Sequence, residues 1–455
     1  MSKSFRSWDV EQPLLLPPSV QELVPAGHLA HFVRDTVRES LELSAILDDY
    51  SEERGYPPYH PVMMTALLLY AYCQGIYSSR RIARACEERV DFMAVTARQT
   101  PDFRTISAFR KRHLRALGAL FGQVLGLCEA AGLVKLGHVA LDGTKVHANA
   151  SKHKAMSYGR MREREPELAA EVASWFAEAE LRDRAEDEEL GPERRGDELP
   201  EWVANKQQRL AKIREAMAAL EAEAEQAAEE GAEQGSPEEP PEGAALAPKR
   251  GSGRRQAEPP SKAPPDKAQR NFTDPDSRIM KDSHGFEQAY NAQAAVDAHS
   301  QVIVAEGLTN AANDKQQLVP MVREIERQTG RRPRELSADS GYCSEDNLAD
   351  LAERDIRGYI ATGRQRHGEA SATAPGASGG GPHVQAMSTR LKRGGHRSRY
   401  RLRKQTVEPV FGQIKGGRGF RQFLLRGLEK VAEEWRLVCT AHNLLKLASA
   451  SSATG

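Results

Sequence analysis

Three acidic side chains stand where the sequence pattern lets them work together. Asp142 closes the apolar run VALD, Asp339 closes ELSAD, and Glu408 lies in the helix-like segment TVEPVFGQIKGG. Ends of neighbouring strands can bring two carboxylates side by side, and a helix across the sheet can supply a third. Such a cluster repels itself unless cations sit in it. Mg²⁺, or Mn²⁺ in its place, suits a few carboxylates plus waters and phosphate oxygens. Two such ions about 3.5–4 Å apart activate a nucleophile and stabilise the leaving oxygen in phosphodiester chemistry. Metal-dependent phosphodiester cleavage is the reaction these residues point to, although on spacing alone each acid reads more readily as an N-cap or surface carboxylate. Lys415 follows Glu408 by seven residues, two helical turns, so both leave one face. Val407, Val410, Phe411 and Ile414 give the apolar stripe that would seat Glu408 on a sheet, and Pro409 places Glu408 at a helix start or kink.

The elements that must position these residues are legible nearby. GHVALDGTKVHA reads as a strand with Asp142 near its end. EQAYNAQAAVD and QVIVAEGLT, separated by AHS, predict an antiparallel hairpin. A helix over DKQQLVPMVREIERQT, the strand ELSADS, a helix SEDNLADLAERD capped by Ser344 and the strand RGYIAT follow. YRLRKQTVEPVFGQIKGG and LEKVAEEWRLVCTAHNLLKLA close the chain as helices. The order describes an α/β core. Ahead of it, three helical stretches, HPVMMTALLLYAYCQGI, SSRRIARACEERV and TISAFRKRHLRALGALFGQVLGLCEAAGL, are punctuated by Gly75, Ser78 or Ser79, and Asp102 to Thr105. Arg80, Arg81 and Arg84 crowd one helix start; Arg104, Arg110, Lys111 and Arg112 crowd the next. Basic helix starts suit a helix-turn-helix style DNA module, or a bundle with solvated basic faces.

The chain has 455 residues, room for two or three domains, and 64 Lys plus Arg balance 64 Asp plus Glu. That neutrality hides two opposed blocks: residues 161–230 hold 21 acids and 10 bases, residues 391–430 hold 12 bases and 2 acids. LKRGGHRSRYRLRK in the second block is an electrostatic contact for DNA, and Arg418 and Arg421 continue it past the helix. In the acidic block Leu210, Ile213, Met217 and Leu220 recur at helical spacing, as in a helical hairpin or short coiled coil. Residues 231–270 hold 8 of the 25 prolines and one large aliphatic residue, so disorder is expected there. No apolar run approaches the roughly 20 residues that cross a bilayer, and MSKSFRSWDVE lacks a secretory pattern, so a cytoplasmic protein is expected, nucleoid-associated if its basic segments hold DNA. Five scattered cysteines without CxxC spacing read as small apolar residues. His147 and His153 are six apart and lack partners for a metal site; Lys145 and Lys152 fit phosphate better, and Asp297 and Asp314 fit turns or caps.

VALDGTKVHANAS, LSADSGYCSEDNL and TVEPVFGQIKGGRGFRQFLLRG resemble the three catalytic blocks of DDE transposases from bacterial insertion sequences. HPVMMTALLLYAYCQGIYSSRRIARACEERVDFMAV with TPDFRTISAFRKRH is similar to the helical domain ahead of their catalytic core, and QAYNAQAAVDAHSQVIVAEGLTNAANDKQQL to their central hairpin. The resemblance implies an RNase H-like mixed sheet flanked by helices, preceded by an all-α DNA-binding domain and interrupted by a helical and disordered insert. Its layout would be a DNA-binding domain at 1–134, a first strand region at 135–158 and an acidic insert at 159–270. The core would resume at 271–362, followed by a flexible loop at 363–398, catalytic and packing helices at 399–448 and a tail at 449–455. Asp142, Asp339 and Glu408 would hold two Mg²⁺ ions, and Lys415 would match the lysine of a Tyr, Arg, Glu, Lys signature and hold a DNA phosphate. Tyr400 and Arg403 keep that signature's mutual spacing but stand one residue too far from Glu408; strict register gives Arg401 and Lys404. Either pair would contact DNA. The implied activity is cleavage and strand transfer at element ends by a homodimer on terminal repeats and target DNA. The alternatives are a catalytically inactive DNA-binding repressor and a metal-dependent nuclease.

Overall fold

The computed structural model describes residues 19–50, 58–151, 154–190, 201–233, 263–281, 285–363 and 381–454. Its first half comprises α1 (Leu29–Glu39), α2 (Ser44–Leu47), α3 (Pro61–Cys73), α4 (Ser79–Glu88), α5 (Val90–Thr96), α6 (Phe103–Arg112), α7 (Leu114–Ala130), β1 (Val139–His147), β2 (Ala155–Ser157), α8 (Tyr158–Leu190) and α9 (Glu201–Glu233). Then come β3 (Gln269–Asn271), β4 (Arg278–Lys281), β5 (Phe286–Asp297), β6 (Ile303–Thr309), α10 (Leu318–Thr329), β7 (Glu335–Ala338), α11 (Glu345–Glu353), β8 (Arg357–Ile360), α12 (Pro382–Gly394), α13 (Leu402–Gly412) and α14 (Leu428–Thr454). The described residues form two compact units, one within 1–146 and 291–455, the other within 147–290.

The first unit is built on a mixed sheet flanked by helices. β5, β1, β7 and β8 are neighbours in that order; β1, β7 and β8 run parallel, and β6 pairs antiparallel with Asn291–Val296 of β5. The hairpin expected across AHS is therefore present. Val139, Ala140 and Leu141 are buried with no alternation, as a central parallel strand covered on both faces requires. β1 runs five residues past Asp142, so that acid sits mid-strand rather than near the strand end. α10 and α14 pack on β6, and α11 and α12 on β8. Ser344 caps α11 through the Asn347 N–H at 3.2 Å, as its position predicts.

The helices ahead of β1 share this core, because α14 packs against both α3 and α7. The expected boundary at residue 134 is thus not a break in packing. Gly118 on α7 lets α14 come close: a Cβ there would meet the Glu433 carboxylate. Gly75 ends α3 with φ +72, as anticipated, and it too faces the C-terminal region, since a Cβ would lie 2.6 Å from the Arg418 carbonyl oxygen. The expected third helix breaks in two at His113, whose buried ring meets the Tyr50 hydroxyl at 3.1 Å and the Asp49 carboxylate at 3.3 Å. Asp102 caps α6 through the Arg104 N–H.

Three expectations for the C-terminal third are corrected. The stretch read as a loop over 363–398 contains α12, which buries Met387 and Leu391 one turn apart and has its first N–H groups, at His383 and Val384, bound by the Glu345 carboxylate. Helix α13 continues through Pro409, so Glu408 lies inside a helix and not at its start. Proline at 409 offers no N–H to the Gln405 carbonyl, and Gln301 Nε2 donates to that oxygen instead at 3.1 Å. The tail expected from 449 is helical to Thr454.

In the second unit β2 pairs antiparallel with β3, and β4 with the start of β5. α8 and α9 pack together over Met161, Leu168, Leu210, Ile213 and Leu220. Lys206 with Glu171 and Arg214 with Glu165 link the pair. This unit extends past the expected insert end at 270 to Tyr290, whose hydroxyl donates to Asp274, while Ser277 donates to Gln288. The disorder expected over 231–270 falls mostly on residues 234–262, outside the described residues. Four of the cysteines are buried, Cys343 is half-buried, and all are free.

Candidate active site

The parallel register pairs Val139 with Leu336 and Ala140 with Ser337, so two residues further on Asp142 and Asp339 stand beside each other on adjacent strands. The Asp142 carboxylate accepts the Gly143 N–H at 2.9 Å. Asp339 leaves the strand and accepts the Gly341 N–H at 2.8 Å, capping a 3₁₀ turn at Ser340–Tyr342. Gly143 has no room for a side chain: a Cβ would lie 2.4 Å from Gln293 Nε2 and 2.7 Å from Asn291 Oδ1 and Asp314 Oδ1.

α13 delivers the third acid together with its partner. The Arg403 guanidinium donates through Nη1 to Asp142 and through Nη2 to Glu408 at 3.3 Å, and it lies 6.0 Å from the Tyr400 ring. Of the two signature pairs, Tyr400 and Arg403 are thus the ones brought to the acids, while Arg401 and Lys404 are exposed. A 3₁₀ turn at Arg399–Arg401 precedes α13, so a residue count that assumes one continuous α-helix misplaces Tyr400. After α13 the chain winds as a π-turn, Gln413–Gly417. From it Lys415 Nζ donates to Thr144 Oγ1 at 3.1 Å and to the Lys145 carbonyl at 2.8 Å, which anchors it on β1 beyond Asp142.

Beneath these residues lies a polar network that sequence reasoning missed. Asp314 accepts from Asn291 Nδ2 at 2.6 Å and Gln293 Nε2 at 2.7 Å; the buried Tyr342 hydroxyl donates to Gln293 Oε1; Asn347 Nδ2 donates to the Tyr342 and Lys315 carbonyls. Asp314 therefore joins the site instead of capping a turn, whereas Asp297 does hold a turn, accepting from the N–H groups of Lys135, Leu136 and His299. The signal was present as Asn291 and Gln293, two apart on a strand otherwise apolar at its centre, both fully buried. Burial and the nearby Asp339 and Asp314 push the Asp142 carboxyl up to about 7, against the pull of Arg403. Burial also lowers the Lys145 ammonium, which the surrounding carboxylates partly offset.

Among the described residues no three His, Cys, Asp or Glu side chains converge closely enough to grip an ion. The donor set nevertheless fits a hard divalent cation: it is all carboxylate oxygen, Asp142 is buried beside Asp339, and the Arg403 guanidinium stands as a cation between Asp142 and Glu408.

The remaining basic residues sort by exposure. Arg80, Arg81, Lys111, Lys404 and Arg421 are exposed. Arg110 is buried and spent on the Tyr72 hydroxyl, the Tyr77 carbonyl and Ser79 Oγ, so the expectation of a DNA contact there is corrected. Arg418 is likewise turned inward, 3.4 Å from His442 Nδ1, with burial lowering its pKa. His153 and Lys152 lie outside the described residues.

Residues 18–112 match a family model described as a transposase domain (DUF772), and residues 260–444 match one described as a transposase DDE domain. The second match contains Asp339, Glu408 and Lys415; Asp142 falls outside it, ahead of the insert. No curated protein and no solved structure matches the chain.

Proposed function

The chain belongs to the DDE transposases of insertion sequences, and on that premise we propose that it binds the ends of its element and cuts and joins DNA there, with Asp142, Asp339 and Glu408 as the metal-holding carboxylates of an RNase H-like core. The observation that carries this reading is the bridge of Arg403 between strand-borne Asp142 and helix-borne Glu408, with Asp339 just past the end of the next strand. Mg²⁺ or Mn²⁺ held by these carboxylates, two ions in all, would supply the Lewis acidity for attack by water and then by a DNA 3′ hydroxyl.

The protein's own groups do the rest. Gly143 and the Asp314, Gln293 and Asn291 network hold the Asp142 strand and the Asp339 turn in place. Arg403 presents a planar fork between Asp142 and Glu408 that suits a phosphate as well as a carboxylate, and Lys415 offers a point charge from the same side of β1. Tyr400 lies against Arg403 and limits its swing. Arg80, Arg81, Lys111, Lys404 and Arg421 supply exposed charge for DNA phosphates, and a homodimer on DNA brings two ends together.

Cleavage of labelled DNA carrying the element ends, in Mg²⁺ or Mn²⁺, tests the assignment. Asp339→Asn is expected to lower cutting by at least about a hundredfold while end binding persists. Equal cutting by both proteins places the chemistry elsewhere, and binding without cutting in either supports a non-cutting repressor.

A further inference from the structure

The acidic second unit carries a basic groove. Six of its cations are taken by acids: Arg162 by Asp266, Arg164 by Glu167, Lys206 by Glu171, Arg214 by Glu165, and both Arg270 and Arg278 by Glu223. Among the described residues Lys154, Arg209 and Lys212 meet no acid, and all three line one groove of about 520 Å³ between α9 and the β2–β3 ribbon. Asn205 and Gln208 add amide donors along the same α9 face, Phe272 and Met156 form its apolar part, and no acid among the described residues lines it. Asn205, Gln208, Arg209 and Lys212 are exposed and recur three or four residues apart, so one helix face presents two cations and two amides over about 10 Å.

This arrangement conflicts with the average charge of the region. Residues 161–230 hold 21 acids and 10 bases, so the cheapest fate for a lysine or arginine there is a neighbouring carboxylate; Arg162, Arg164, Lys206 and Arg214 found one, as did Arg270 and Arg278 further along the unit. Three cations gathered without acids, among side chains that donate hydrogen bonds, are complementary to a run of phosphates, where charge supplies affinity and amides fix position. We infer that this groove is a DNA-backbone contact through which the insert, by net charge the least suited part of the chain, helps hold the transposase on DNA. The inference rests on the transposase reading.

Binding of the full-length protein to a labelled duplex, measured from 50 to 200 mM salt, tests it. The variant Arg209→Gln with Lys212→Gln is compared with a charge-matched control in the same unit, Arg160→Gln with Lys267→Gln, which alters two exposed cations outside the groove. The groove variant is expected to bind about fivefold or more weakly at 100 mM salt, with the slope of log K against log salt shallower by about two, one per lost contact. The control is expected to change affinity less than twofold. Equal affinity and slope in the two variants overturn the groove alone. Tighter binding by the groove variant also overturns it, by showing that the groove holds an acidic stretch of the chain that competes with DNA. Failure of the unaltered protein to bind DNA overturns the parent reading as well.

Discussion

His442 is fully buried on α14, with Nε2–H donating to the Gln301 carbonyl at 2.9 Å and Nδ1 facing the Arg418 guanidinium. Burial, and then the Arg418 charge, lower its pKa to about 3. The unfolded chain, with an ordinary histidine near 6.5, takes up this proton first, so the neutral ring contributes stability fully above about pH 6.5 that is lost progressively as pH falls toward 3. Between pH 6.5 and 5 the loss amounts to about 2 kcal/mol. Urea midpoints at pH 7 and pH 5 should therefore converge in His442→Gln relative to the unaltered protein; an unchanged difference would assign the pH dependence to other groups. At this scale the sequence exposed Asp142, Asp339 and Glu408 because each ends or sits in a recognisable pattern. It could not show that Tyr400 and Arg403 are the residues facing them, since that depends on a 3₁₀ turn ahead of α13. Nor could it show Asp314, whose role comes from two amides on a strand more than twenty residues away.

Among the described residues β6 pairs only with β5, and at Ile303 its backbone is met by a side chain. Asn443 on α14 accepts the Ile303 N–H at 2.9 Å and donates to the Ile303 carbonyl at 2.8 Å, both buried. Asn443→Ala leaves a buried donor and a buried acceptor unmatched, and is expected to cost about 2–4 kcal/mol in denaturant unfolding. A loss below about 1 kcal/mol would mean that water reaches the strand. Elements marked by a continuous apolar run or plain turn chemistry, such as α3, the β5–β6 hairpin and α11 with its Ser344 cap, were readable. Those made by distant partners were not: α12 starts on the Glu345 carboxylate, and the α6–α7 break is held by Tyr50 and Asp49.

At the scale of the molecule, α14 joins what the sequence presents as separate domains. Trp435 is fully buried and donates to the Gln293 carbonyl on the sheet, while Gly118 and the Cys73 and Cys128 thiols lie against the same helix from α7 and α3. Residues 1–134 alone would expose the faces of α3 and α7 that α14 covers, so this fragment is expected to show no cooperative urea transition, whereas an intact fold in isolation would mark it as an autonomous domain. Nothing in helical periodicity reveals this, because a face that meets another helix hundreds of residues later looks the same as one that meets its neighbour. The last 27 described residues are thus the keystone of the first. Because a ribosome makes α14 long after α3 and α7, these earlier helices wait for its synthesis to complete their core. A frameshift or early stop ahead of α14 is therefore expected to leave those faces of α3 and α7 uncovered and to yield a chain that proteases clear rather than a stable fragment.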